Sequence, residues 1–109
     1  MLVVNRFVVQ GGDADFRTRA GAALVALGAR PGYVSGRLGR AYDDPSQWTL
    51  VTEWESVGAY RRALSAYDVK VNATRLLAQS LDEPSAFEVL GEAVPGGPVV
   101  TAESDLARS

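Results

Sequence analysis

Apolar and polar residues alternate at the start of the chain. Val3, Asn5, Phe7 and Val9 fall on one face of an extended segment, and Leu2, Val4, Arg6 and Val8 fall on the other. A period of two over β-branched residues predicts a strand over Leu2–Gln10, ended by Gly11-Gly12. The period then lengthens. Phe16, Ala20, Ala23, Leu24 and Leu27 recur at helical spacing, with Asp13 or Asp15 as the N-cap and with Gly28 and Pro31-Gly32 as the stop. A mixed segment, Tyr33–Tyr42, reads as a second strand. Asp43-Asp44-Pro45-Ser46 is a turn by its own chemistry, since Asp and Ser bond back to the backbone and Pro presets φ. The third strand, Trp48–Glu55, places Trp48, Leu50, Thr52 and Trp54 on one face and Thr49, Val51, Glu53 and Glu55 on the other. Ser56 is the expected cap of a helix reaching about Ser65. Tyr67 or Asp68 starts another that carries Val71, Leu76 and Leu77, and Pro84 precedes a last strand, Ser85–Leu90.

The resulting order, β-α-β-β-α-β, is the ferredoxin-like α+β arrangement, in which helices cover one face of a four-stranded antiparallel sheet. Residues 1–90 form this domain. Residues 91–109 read as a C-terminal tail, flexible or swapped into a dimer through a strand at Val99-Val100-Thr101. The uncovered sheet face needs a partner, and a second copy of the same face would make a homodimer.

At 109 residues, with 47% apolar and 22% charged, the chain is one domain with a core to bury. A net charge of −2 without a basic run gives no footprint for nucleic acid. No apolar run approaches the roughly 20 residues of a membrane span. Leu2–Val9 is too short for a signal core and is interrupted by Asn5 and Arg6, so a cytoplasmic protein is expected. The absence of His and Cys matters more. It excludes disulfides, Fe–S clusters and thiolate zinc sites, and removes the commonest acid/base side chain. The glycines at 11, 12, 36 and 39 form no strand-Gly-helix fingerprint, so no nucleotide cofactor is expected.

Asn5 is the sharpest single signal. An amide among Val and Phe on an inward face needs hydrogen-bond partners, because an unpaired buried one costs about 1–3 kcal/mol. A ligand carbonyl or phenol would serve, and so would a neighbouring backbone group. Trp54 shares that face, as the wall of a pocket or as core filling. Tyr33 and Tyr60 read as rim or lid residues or as catalysts. Trp48 belongs at a pocket end or a dimer edge. On the opposite face Arg6 and Glu53, joined by Glu88, suggest a charge-paired cluster at the dimer interface. Arg37 and Arg40 read as serving solvent or that interface.

Pro31-Gly32-Tyr33 after the first helix, Asp43-Asp44-Pro45 in the hairpin, and Trp54-Glu55-Ser56 followed by Ala59-Tyr60 resemble the antibiotic biosynthesis monooxygenase family over residues 1–90. The resemblance implies a dimeric α+β barrel, with a pocket in each subunit between its sheet and its helices. Some members oxidise aromatic polyketides or quinols with O₂ and no cofactor; others bind and degrade haem. Carried over by position, Asn5, Trp54, Tyr60 and Arg75 become catalytic candidates, and Phe7, Tyr33, Leu50, Thr52 and Tyr67 substrate-binding ones. Two departures stand out. Haem-degrading relatives use a His in the second helical segment, and Tyr67–Gln79 has none, leaving only Tyr67 as an iron ligand in principle. Leu50 stands where some quinone-forming members have Asn. The resemblance therefore implies a cofactor-independent monooxygenase, with a non-catalytic binding or auxiliary dimeric protein of the same fold as the alternative.

Overall fold

The computed structural model describes residues 1–106. Its elements are β1 (Leu2–Val8), α1 (Asp13–Gly28), β2 (Tyr33–Arg40), β3 (Gln47–Trp54), α2 (Val57–Leu64), α3 (Tyr67–Asn72), α4 (Thr74–Leu77) and β4 (Ala86–Phe87). A short hairpin follows, β5 (Gly91–Glu92) with β6 (Val100–Thr101). The main sheet is antiparallel in the order β2-β3-β1-β4, which is the expected ferredoxin-like topology.

Register decides what faces the helices. Val3 lies opposite Thr52, Asn5 opposite Leu50 and Phe7 opposite Trp48. Because cross-strand partners share a face, all six side chains point to the helical layer, and all six are buried. Against them pack Phe16 and Leu27 of α1, Val69 of α3 and Leu76 of α4. Buried alanines at 20, 23, 59, 63 and 73 let the helices approach closely. Gly32 is needed at the end of the α1–β2 turn: its φ is +88°, and an added Cβ would strike that of Ala59.

Several local expectations are corrected. No aspartate caps α1. Its N-cap is Gly12, in the left-handed region with no side-chain cap bond, and Asp13 and Asp15 lie in the first turn, where carboxylates favour the positive helix end. The first two strands stop two residues early, at Val8 and Arg40, because Val9 and Ala41 hydrogen-bond to Ser46 and Gln47 at the turn. The helix expected from Tyr67 or Asp68 is broken at Ala73 (φ −129°, ψ −36°), and Val71 faces solvent while Val69 and Ala73 are buried.

Within the chain, Arg6, Glu53 and Glu88 of the expected open-face charge cluster do not pair with one another. The register puts Glu53 opposite Leu2 and Thr49 opposite Arg6. Arg6 instead reaches Glu83 at 4.0 Å, and Glu88 accepts from Ser104 and from the Asp105 N–H. Arg40 does not serve the open face either. A bulge between Tyr33 and Ser35 shifts the parity of β2 and turns Gly36, Leu38 and Arg40 to the helix side. There the Arg40 guanidinium donates to Asp13 (2.6 Å) and to the Pro45 carbonyl (2.6 Å), lying over the Trp48 ring.

The last strand is only Ala86–Phe87, shorter than Ser85–Leu90. Val100-Thr101 pairs with Gly91-Glu92 of the same chain. This hairpin stands off the domain: the Cα radius of gyration is 15.1 Å, whereas a compact chain of this length would have about 13 Å.

Candidate functional site

Two elements frame a cleft that contains two of the candidate catalytic residues. β1 supplies Asn5. α2 supplies Tyr60, and Ser56 fixes that helix's start by accepting the Ala59 N–H at 3.0 Å, as expected of the N-cap. Between them opens a cleft of about 380 Å³, walled by Leu64 one turn beyond Tyr60 and by Thr74, Leu77 and Ser80.

The polar groups of this cleft differ in how far they are committed. Ser80 Oγ donates to the Leu77 carbonyl at 2.7 Å, and Thr74 Oγ1 makes a long contact of 3.4 Å to the Val69 carbonyl. Asn5 uses its backbone carbonyl to accept from Thr49 Oγ1 (3.3 Å). Its side-chain amide, on a residue only 8% exposed, has no hydrogen-bond partner among the described residues. It is left for whatever enters. Burial raises the Tyr60 phenol above its ordinary pKa, so at neutral pH it is protonated and can donate.

Trp54 lies behind Tyr60. It is 1% exposed, and its indole N–H is already satisfied by Thr52 Oγ1 at 2.9 Å. Its ring centroid is 5.5 Å from that of Tyr60 and 5.3 Å from that of Tyr33. Trp54 thus braces Tyr60. Tyr33 folds under the helical layer, in space left by Gly28 and Gly36; a Cβ on Gly36 would collide with its hydroxyl. Leu50 and Thr52 are fully packed, and Phe7 stands edge-on to Phe16 at 5.2 Å. Tyr67 is 79% exposed. Arg75 lines a separate groove of about 350 Å³ with Arg19, Asn72 and Gln79, sharing no side chain with the Asn5–Tyr60 cleft. Among the described residues no acidic group of three or more converges to hold a metal ion.

Of the nine site candidates, then, the cleft joins two. Sequence reasoning missed its far wall. Leu64 was legible, being one helical turn after Tyr60, and so was the Thr74, Leu77, Ala78 set, which shares a helix face by spacing. Ser80 and Ser85 carried no such signal, since they lie in an irregular segment.

The sequence profile described as Antibiotic biosynthesis monooxygenase matches residues 1–71, well over half of the chain. The chain belongs to this family. It is 32% identical over 94 residues to a deoxynogalonate monooxygenase of Streptomyces nogalater, covering 86% of this chain and 80% of that protein. The crystal structure of SnoaB, a cofactor-independent oxygenase from Streptomyces nogalater, superposes with a TM-score of 0.66 at 27% identity, over 98% of this chain and 96% of that one. A conserved protein from Methanosarcina mazei Go1 shares the fold alone, with a TM-score of 0.63 at 17% identity over 78% of this chain and 84% of that one. For this antibiotic biosynthesis monooxygenase family member, the profile match takes in Asn5, Trp54 and Tyr60. It stops short of α4 and the serines, so the family match does not extend to one wall of the cleft.

Proposed function

We propose that the protein is a cofactor-independent monooxygenase that oxidises an electron-rich aromatic, polyketide-like or quinol substrate with O₂ in the Asn5–Tyr60 cleft, working as a homodimer. The observation that carries this reading is the uncommitted Asn5 amide, held on a rigid strand within one cleft with a protonated phenol. A ring carbonyl or phenol oxygen placed against Asn5 gains a donor where negative charge develops on deprotonation. The resulting carbanion is itself the reductant of O₂. One oxygen atom ends as the new carbonyl and the other leaves as water, which balances CH₂ + O₂ against C=O + H₂O. Tyr60 supplies a hydrogen bond or a proton to the peroxidic oxygen, and Leu64 and Leu77 cover the flat rings. Similarity to the deoxynogalonate monooxygenase and to SnoaB supports the reaction class.

One observation favours a second reading, a small-molecule binding protein of the same fold. Arg75, the one cation among the catalytic candidates, lines the other groove. Oxygen uptake by protein treated with chelator, with a panel of anthrones, quinols and naphthols, separates the two. Protein-dependent uptake that falls in Asn5→Ala and Tyr60→Phe supports the oxygenase. Saturable binding of the same compounds without uptake supports the binder and overturns the proposal.

A further inference from the structure

Among the described residues the C-terminal hairpin lacks a cover. β5 and β6 pair with each other and not with the main sheet. Successive residues of a strand point to opposite faces, so Val99 and Val100 lie on opposite sides of the hairpin. They are 66% and 67% exposed, and Val94 at the bend is 72% exposed. A two-stranded hairpin on its own is at best marginally stable in water, and this one has bare apolar residues on both faces. Residues 88–106 also carry four carboxylates, Glu88, Glu92, Glu103 and Asp105, and no Lys or Arg. Glu88 is taken by Ser104 and the Asp105 N–H. Glu92, opposite Val100, makes no ion pair among the described residues.

The main sheet has a complementary want. Its order ends at β2, whose eight residues leave an outer edge unpaired, and a long bare edge is a liability that folds normally cover. On that strand the bulged Val34 is 53% exposed. Arg37 stands exposed on the open face, opposite Val51. The ion pairs of the described residues use Arg6, Arg19 and Arg40, which leaves Arg37 without a carboxylate. Its own hairpin follows β4, at the far edge of the sheet. A two-fold axis parallel to the strands, laying two open faces together, reverses the strand order and sets β4 of one copy over β2 of the other. The hairpin that follows β4 then arrives at the bare edge of the second copy.

From this match of charge and uncovered surface we infer that the β5–β6 hairpin is an arm that docks on the β2 margin of a second copy of the chain. It buries its valines there and sets Glu92 against the partner's Arg37. The inference rests on the homodimer of the proposed function and not on its oxygenase chemistry.

The chain has no Cys. Two full-length proteins, Glu92→Cys and Arg37→Cys, can therefore be mixed, left to exchange subunits and oxidised mildly, and any disulfide between them joins two copies. Both positions are exposed, so folding is not at stake. Intact mass should show the mixed disulfide well beyond its statistical share over the two symmetric ones. In sedimentation equilibrium, Glu92→Arg and Arg37→Glu should each weaken dimerisation about tenfold or more, and the double variant should restore it. A wild-type dimer that gives only the statistical mixture of disulfides, or that ignores both charge reversals, overturns the arm and leaves the homodimer standing. A wild-type chain that sediments as a monomer overturns both.

Discussion

Asn5→Leu is expected to make the protein more stable and less active at once. Asn5 sits between Val3 and Phe7 on its own strand and opposite Leu50 on β3, and it is 8% exposed. Leucine has nearly the same branched outline, so the change replaces an amide by two buried methyl groups without overfilling the site. At about 0.8 kcal/mol per buried carbon group the gain is about 1.5 kcal/mol. Relief of the unpaired amide adds less than the full 1–3 kcal/mol expected of a sealed site, because the cleft keeps water within its reach. A net gain of about 1–2 kcal/mol raises Tm by about 4 °C or more in a domain of this size. Thermal unfolding must be followed at matched protein concentration, since subunit association shifts Tm by mass action. Oxygen uptake on the same samples should fall. The reasoning is refuted by a loss of stability of comparable size, which would mean that the amide is paired within the fold, or by unchanged uptake of a true substrate.

Tyr60→Phe keeps the ring against Trp54 and should lower turnover about a hundredfold, the cost typical of one oxyanion donor, with little change in Tm at neutral pH. Because the folded-state pKa of Tyr60 is raised, its favourable contribution is intact below about pH 10 and is lost as pH rises through the folded value; an alkaline unfolding series should show a loss in the wild type that Tyr60→Phe lacks. Thr52→Val removes the acceptor of the Trp54 N–H and should cost about 1–3 kcal/mol in denaturant unfolding. Arg75→Gln should leave turnover within about twofold, as expected of a site with no shared partners; a much larger loss would put Arg75 in the reaction. Asp44, whose carboxylate is held below its usual range by Ser46 and then Gln47, secures the β2–β3 turn above the ordinary carboxylate pKa. That contribution is lost as pH falls through the lowered folded value, and Asp44→Ala should flatten this part of an acid unfolding curve.

How far the sequence could be read depended on whether geometry was local. A strand has a fixed period of two, so the placement of Asn5, Leu50, Thr52 and Trp54 on one side followed from spacing alone and holds. Arg40 escaped because a single bulged residue at Val34 inverts the parity of all that follows on β2, and no residue pattern there announces it. The break at Ala73 was equally silent. Residues 66–79 contain neither Gly nor Pro, so tertiary packing of Val69, Ala73 and Leu76 against the sheet sets the bend, not a local breaker. Arg6 found Glu83 in place of Glu53 because the irregular segment before β4 is tied along β1, with Leu81 N–H on the Arg6 carbonyl and Val4 N–H on that of Ser85. Whether Trp54 would line a pocket or fill the core turned on one hydroxyl two residues away, and only coordinates resolve a contact of that kind.

The inventory of the cleft also limits the chemistry the protein can supply. Its uncommitted donors, an amide and a phenol with a raised pKa, do not titrate near neutrality. Neither can serve as an efficient general base at pH 7, where the best catalytic pKa lies near the working pH. Two hydrogen-bond donors set against developing negative charge would be worth about 10²–10³ each in rate, a few kcal/mol apiece, and that is small against the barrier for oxidising an unactivated ring by ground-state O₂. Under the proposed function the substrate then brings most of the reactivity itself, as an acidic C–H or O–H flanked by carbonyl or phenol groups, already partly ionised at neutral pH. Asn5→Leu should then cost most with the least acidic members of a ring-substituted series, whose more basic anions take the stronger hydrogen bond, so that rate follows substrate acidity more steeply in the variant than in the wild type. Equal slopes and equal rates for the two proteins would mean that the Asn5 amide does not touch the anion.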